Sequence, residues 1–254
     1  MSTMQCAAFM AVMFSGICPS ANSQWLHYPT PGIPRTKEGN PDLSAPAPKM
    51  ADGKPDFSGI WGRGGRAPDA PDALLTVQGR ASVERFRASR SNNRDTNLAQ
   101  CLPHFLLQVV PDALYKIVQT QGLIVILYDS PGMPLPRQIF IDGRPLPEVT
   151  SPSWMGYSVG HWDGNTLVVE TAGFNDRGIV PVSGVPMTET TRFTERFERV
   201  DFGHLKLQVT LEDPQTFTKP WTFSLAPQLQ ADTDLLEWVC ENNDDILRHM
   251  VGGR

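Results

Sequence analysis

Gly156-Tyr-Ser-Val-Gly-His-Trp-Asp-Gly-Asn-Thr-Leu-Val-Val-Glu-Thr-Ala-Gly-Phe174 is the stretch on which the reading of the whole chain turns. Two alternating runs flank Asp163-Gly164-Asn165, a turn composition that joins antiparallel strands. The segment therefore reads as a β-hairpin, and the chain around it follows the same pattern. Strands are expected over 115–120, 123–128, 137–142, 157–162, 166–171, 192–200, 205–212 and 221–225. Short turns separate most of them, among them Gln121-Gly122, Asp142-Gly143 and Asp201-Phe202-Gly203.

The run from His204 to Glu212 alternates cleanly, with Leu205, Leu207, Val209 and Leu211 on one side. That is a strand with one wet face. Many strands joined by tight turns predict a mainly β fold, an antiparallel meander closed or curled into a lipocalin-like barrel, because closure protects the edges. Asp56-Phe-Ser-Gly-Ile-Trp61 reads as the opening strand of the body, and its Gly59-Ile-Trp61 resembles the Gly-x-Trp of lipocalin-like barrels. One helix is expected over 76–89, where Val77, Val83 and Phe86 can share a face, and a second short one over 233–242.

The chain divides into three parts. Residues 1–23 have the form of a signal peptide: an apolar run from Cys6 to Cys18, then small residues for cleavage near 21–23. The usual basic n-region is missing, since no Lys or Arg precedes the run. Residues 24–55 form a Pro-rich arm, expected to be extended, whose Trp25, Leu26, Tyr28 and Ile33 are apolar enough to lie across the body. Inside it Gly39-Asn-Pro-Asp-Leu-Ser44 is echoed by Gly53-Lys-Pro-Asp-Phe-Ser58. Residues 56–254 form a single barrel-like domain.

Bulk properties narrow the partners. The formal net charge is −5 and there is no Lys/Arg cluster, which argues against nucleic acid. The apolar run at the N-terminus is too short to span a bilayer, and no transmembrane segment is expected elsewhere. After signal removal the remaining cysteines are Cys101 and Cys240. In an oxidising compartment they would form one disulfide, worth about 5 kcal/mol at most in the chain-entropy model. The alternative is a pair of buried thiols in a reducing compartment. The reading adopted is a periplasmic or secreted protein.

The chain also resembles a family of exported bacterial proteins of unknown function. The resemblance rests on the opening hairpin and on Gln24-Trp-Leu-His-Tyr-Pro-Thr-Pro-Gly-Ile-Pro-Arg35, Asp52-Gly-Lys-Pro-Asp-Phe-Ser-Gly-Ile-Trp61 and Cys101-Leu-Pro103. Arg137-Gln-Ile-Phe-Ile-Asp-Gly-Arg144, Thr194-Glu-Arg-Phe197 and Glu237-Trp-Val-Cys-Glu-Asn-Asn243 extend it. It implies export and no particular activity. Two positions depart from the family pattern: Asn165 stands where Asp is usual in the hairpin turn, and Met187 where a His is usual.

Candidate chemistry is sparse. In Phe193-Thr-Glu-Arg-Phe197, alternation puts Glu195 on one face with Phe193 and Phe197. An inward carboxylate could act as an acid or base. Arg137, on the face of Ile139 and Ile141, could instead pair with it structurally. His161 is a further acid–base candidate. Arg144 could bind an anionic group and Asp142 act as a base, or Asp142 and Gly143 could simply satisfy a turn. Trp162, Phe193 and Phe197 are candidate ligand contacts, and Trp61, Trp154, Trp221 and Trp238 could line a pocket or fill the core. The His spacing matches no metal motif, and no phosphate-cradling loop, dinucleotide fingerprint or nucleophile elbow occurs, so no cofactor and no metal is expected. The function reading is an exported β-barrel that binds a small, partly apolar or sugar-like molecule or packs against an envelope partner. The alternative is a lyase, isomerase or hydrolase that works without metal or nucleotide through Glu195 with Arg137, Arg144 or His161, and whether the chain is an enzyme stays open.

Overall fold

Alternation along each strand sends one set of side chains inward, and that set rolls the sheet up. The computed structural model describes residues 29–62, 64–65, 68–90, 114–128, 135–148, 151–180 and 184–235. The expected signal segment 1–23, Cys101, Cys240, Trp238 and most of the expected 233–242 helix lie outside the described residues. In chain order the elements begin with β1 (Gly59–Gly62), a 3-10 turn (Asp72–Leu74) and helix α1 (Val77–Arg90). Strands β2 (Leu114–Gln119), β3 (Leu123–Tyr128), β4 (Arg137–Phe140), β5 (Tyr157–Asp163) and β6 (Thr166–Ala172) follow. Next come the small strands β7 (Ile179–Val180) and β8 (Val185–Pro186), which pair with each other. The chain continues with β9 (Arg192–Arg199), β10 (Leu205–Glu212), β11 (Trp221–Leu225) and β12 (Gln228–Leu229).

Ten strands form one sheet in the order β11-β10-β9-β6-β5-β4-β3-β2-β1-β12. Its two outer members, β11 and β12, are separated in the chain by only Ala226 and Pro227. Leu205 N–H donates to Pro227 O (2.9 Å), Leu229 N–H donates to Gly203 O (2.8 Å), and His204 bridges Gln228. One bent strand thus pairs with β10 at its start and with β1 at its end, and the curled sheet meets itself there. Pro227 suits the bend because it has no N–H to leave unpaired.

One ladder departs from the expected antiparallel meander. Strands β4 and β5 run parallel, with Ile139 opposite Ser158 and Phe140 opposite Val159. A parallel pair requires the chain to cross back over the sheet, and residues 141–156 make that return. The hairpin that opened the sequence analysis is formed by β5 and β6, with Asp163 paired to Thr166. Its loop is therefore two residues, not three. Gly164 lies at φ 61° and Asn165 at negative φ, the combination a type II′ turn needs.

The interior is packed with side chains. Trp61, Ile117, Ile124, Ile126, Ile139, Leu167, Val169, Phe193, Phe197, Leu207, Val209 and Phe223 are all buried in one cluster. At Gly160 a Cβ would lie 2.8 Å from Ile141 Cγ2, 3.2 Å from Leu167 and 3.3 Å from Ile139. At this level the barrel has no room for even one more methyl group. Phe174 packs edge-on against Phe193, and Phe217 packs beside Trp221, extending the core beyond the inward-facing strand residues.

Helix α1 starts where Thr76 caps it: Thr76 Oγ1 accepts the Gly79 N–H (3.0 Å) while its own hydroxyl donates to Gln215 O (2.6 Å). The buried face differs from the expected one. Val77 is 89% exposed, whereas Val83 is buried and Gly79 lies against the 213–216 turn. Gly79 is required by contact, since a Cβ there would sit 2.3 Å from Thr216 O.

The described part of the arm, residues 29–55, packs on the body through Ile33 and Leu43, and it is folded into two turns where an extended run was expected. Its sequence echo is a structural duplication. In the first copy Thr36 N–H donates to Asn40 O, Gly39 N–H to Thr36 O, and Asp42 N–H to Pro34 O. In the second, Met50 N–H donates to Lys54 O, Gly53 N–H to Met50 O, and Asp56 N–H to Pro48 O. Gly39 and Gly53 hold φ of 86° and 82°, and Asp42 and Asp56 accept the N–H groups of Ser44 and Ser58. Each copy delivers one apolar side chain: Leu43 packs against the core and Phe57 is buried in it.

Candidate functional site

Two places can be examined for chemistry: a polar cluster inside the barrel and a groove under the arm at its end. Inside, β9 places Glu195 on the inner face between Phe193 and Phe197, and β4 places Arg137 there. Arg137 donates through both terminal nitrogens to Glu195, with Nη1 to Oε1 at 3.1 Å and Nη2 to Oε2 closing the fork. Arg137 also donates from Nε to Ser158 Oγ (3.2 Å) and from Nη2 to Thr171 Oγ1 (2.9 Å), and the two hydroxyls bond each other at 2.9 Å. The side chains of the ion pair are 1% and 0% exposed.

This geometry satisfies Glu195 through a bidentate guanidinium in a packed interior. A general base needs reach to a substrate proton, and the packing around Gly160, Leu167 and Phe197 leaves none at that level. Tyr128 adds a buried hydroxyl beside Arg137. It comes near the guanidinium but makes no hydrogen bond of acceptable geometry. Burial, ahead of the nearby charges of Arg137 and Glu195, pushes the Tyr128 hydroxyl up to about 12.

The remaining sequence candidates are scattered. His161 is exposed on the outer face of β5, opposite Val168, and Asp163 at the hairpin tip pairs with Arg196 at 2.8 Å. Asp142 and Arg144 form a self-contained exposed turn. Arg144 grips the Asp142 carboxylate from Nε and Nη2, donates to Tyr157 Oη (3.0 Å) and stacks on Phe140 at 3.9 Å. Trp162 faces inward at the rim and stacks on Phe57 at 5.8 Å. Phe193 and Phe197 are core residues. Met187 is buried against Gly178. None of these side chains joins Arg137 and Glu195 in a shared open site among the described residues.

The groove lies under the arm at one end of the barrel, beside β1, β2 and β12; Ile60 and Lys116 reach it from the outer face of the sheet, and Leu229, paired with Trp61, and Arg199, over the Trp61 ring, from the inner. Its volume is about 570 Å³. Thr30 to Ile33 roof it, Ile60 and Leu229 line its floor, and Pro48 and Phe202 extend the apolar wall. Polar groups converge from Lys116, Arg199, Gln230 and Asp234. Lys116 and Asp234 pair at 3.0 Å.

Arg199 has no sequence signature, because its partners are backbone carbonyls from distant segments. It bonds Asp56 O, Ser58 O (3.4 Å), Asp201 O (3.2 Å) and Phe202 O, and lies over the rings of Trp61 (4.9 Å) and Phe202 (5.2 Å). No carboxylate among the described residues forms an ion pair with it, and burial lowers its pKa to about 10. Arg199 thereby ties the arm, β1 and the β9–β10 turn together at one end of the groove.

A second unforeseen residue is Asp213. Its buried carboxylate accepts the hydroxyls of Thr188 (3.0 Å), Thr190 (3.0 Å), Thr191 (2.8 Å) and Thr216 (3.3 Å), and the Gln215 N–H (3.0 Å). It holds the 213–216 turn that caps α1. The clustered threonines at 188–191 were the available signal, but their common partner is remote in sequence.

No group of His, Cys, Asp and Glu among the described residues could hold a metal ion. Among them, no helix is long and apolar enough to cross a membrane. Comparison with known proteins finds no matching family profile, no matching curated protein and no matching solved structure.

Proposed function

We propose that this chain is an exported barrel protein that binds a small, partly apolar molecule in the groove beneath its N-terminal arm. The carrying observation is the groove: about 570 Å³, apolar on floor and roof, with Lys116, Arg199, Gln230 and Asp234 converging on it. Pre-formed ligand clefts fall in the range of roughly 300–1,000 Å³ and pair an apolar lining with a few placed polar groups. The buried cluster around Gly160, Leu167 and Phe197 supports a site at the end of the barrel under the arm over one at the level of Glu195. Glu195 then serves the fold as the partner of Arg137. Export rests on the N-terminal segment and the family resemblance.

A ligand here would lay an apolar body on Ile60, Leu229 and Ile33 and direct a polar end toward Arg199 or the Lys116–Asp234 pair. Titration of the mature chain with two polarity-sensitive dyes tests this, one a neutral phenylnaphthylamine and one an anionic anilinonaphthalene sulfonate. Saturable binding at one site per chain is expected. A preference for the anionic dye would assign the polar end to Arg199 and Lys116. Linear, non-saturating fluorescence with both dyes would contradict the proposal.

A further inference from the structure

The roof of the groove is fastened at its edge by one carboxylate. Asp232 accepts the Thr30 N–H (2.9 Å), and Arg35 donates to both of its oxygens, at 3.0 Å and 2.5 Å. The Asp232 N–H returns a bond to Thr30 Oγ1 (2.9 Å). Among the described residues, Asp232 is the one non-glycine residue at positive φ, 57°. L side chains seldom adopt this conformation, and where they do the surrounding contacts must hold them. The contacts here are those to the arm.

Besides Asp232, the roof strip is held by Ile33, which packs against the core. Pro31 and Pro34 have no N–H, Gly32 sits at φ 81°, and among the described residues no backbone-to-backbone hydrogen bond ties 29–33 to the barrel. Past Arg35 the arm is secured differently, by its two turns and by Gly203 N–H to Leu43 O (2.8 Å) and Phe202 N–H to Ala45 O (2.8 Å). The strip 29–33 is thus held by fewer bonds among the described residues than the rest of the arm, and it covers Ile60 and Leu229.

We infer that residues 29–35 form a latched strap over the groove, with Asp232 as the latch, so that opening of the Asp232 contacts admits and releases the ligand. The inference rests on the groove being the binding site. It makes Asp232 a positioning residue that sets rates of entry and exit more than affinity, because the closed contacts to a bound ligand are the same however fast the strap opens.

The test uses Asp232→Asn, which tolerates the same backbone conformation but loses the charge that Arg35 grips, and Arg35→Gln, which breaks the contact from the arm side. Hydrogen–deuterium exchange of peptides covering 29–35 reports on the strap without any ligand. Both variants should speed exchange there about tenfold while leaving the barrel strands unchanged. Stopped-flow mixing with the phenylnaphthylamine dye should show association and dissociation both faster by about tenfold, with Kd altered less than about twofold. Faster exchange with unchanged dye kinetics would overturn the gate and leave the groove reading standing. Unchanged exchange in both variants would overturn Asp232 as the latch. Absence of dye binding by the wild type would remove the groove reading and the gate with it.

Discussion

Arg137 and Glu195, carried by β4 and β9, face each other across a bidentate ion pair with side chains 1% and 0% exposed. Taking two charges out of water is costly, and the pair is tolerated because Ser158 and Thr171 complete its hydrogen bonding. Breaking a buried pair from one side strands the other charge, typically at about 3–5 kcal/mol.

Glu195→Gln and Arg137→Met should each lower unfolding free energy by about 3–5 kcal/mol. The double variant Arg137→Met/Glu195→Leu should recover most of that loss, as apolar replacement of a whole pair often does. Urea unfolding followed by tryptophan fluorescence measures all three. Additive losses in the double variant would show that the two residues act independently.

Tyr128 should respond to removal of its hydroxyl in the opposite sense. Its buried oxygen has no hydrogen-bond partner of acceptable geometry, so Tyr128→Phe should be neutral or stabilising by up to about 1 kcal/mol. The hydroxyl titrates near 12 in the folded chain against about 10 unfolded. Its raised pKa favours the protonated folded form, so the associated stability is intact below about 10 and is lost as pH climbs toward about 12. The wild type should therefore become progressively less stable than Tyr128→Phe over that window. A difference flat in pH would contradict the assignment.

The duplicated turns of the arm should fail alike. Gly39 and Gly53 have open space where a Cβ would go, so the backbone conformation is the whole requirement. Gly39→Ala and Gly53→Ala should each cost about 1–2 kcal/mol of local stability. Amide exchange across 34–44 and 48–58 would report it. Widely different costs would mean that the two copies are held by different contacts.

Much of the strand pattern was legible because each strand buries one face. Glu195 and Arg137 could be read as inward from alternation alone, and their meeting follows from the sheet order. The parallel β4–β5 pairing was not legible, since residues 141–156 carry no periodicity to show the crossing. Strand β12 was missed because two residues after Ala226-Pro227 show no alternation; its role comes from β1 and β10. Arg199 and Asp213 were hidden for a related reason: their partners are backbone carbonyls and hydroxyls, which any sequence supplies. The groove is likewise a product of arm placement, and only the apolar residues of the arm hinted that it would lie on the body.

The proposed export carries a covalent prediction. The mature exported chain should carry a Cys101–Cys240 disulfide, resist alkylation until reduced, and lose up to about 5 kcal/mol on reduction. Free alkylation of both thiols in material taken from the periplasm would contradict it.

The central claim, a ligand site under the arm, is tested most directly by filling the groove. Thr233 lines it, whereas Gln208 lies in a separate cleft on the outer face of β10. Dye titrations of the wild type, Thr233→Trp and Gln208→Trp compare the two places, with urea unfolding of each protein run alongside. Thr233→Trp should weaken binding about tenfold or more, equivalent to about 1.4 kcal/mol, with Gln208→Trp unchanged. Equal affinity in all three proteins would place the site elsewhere and contradict the account.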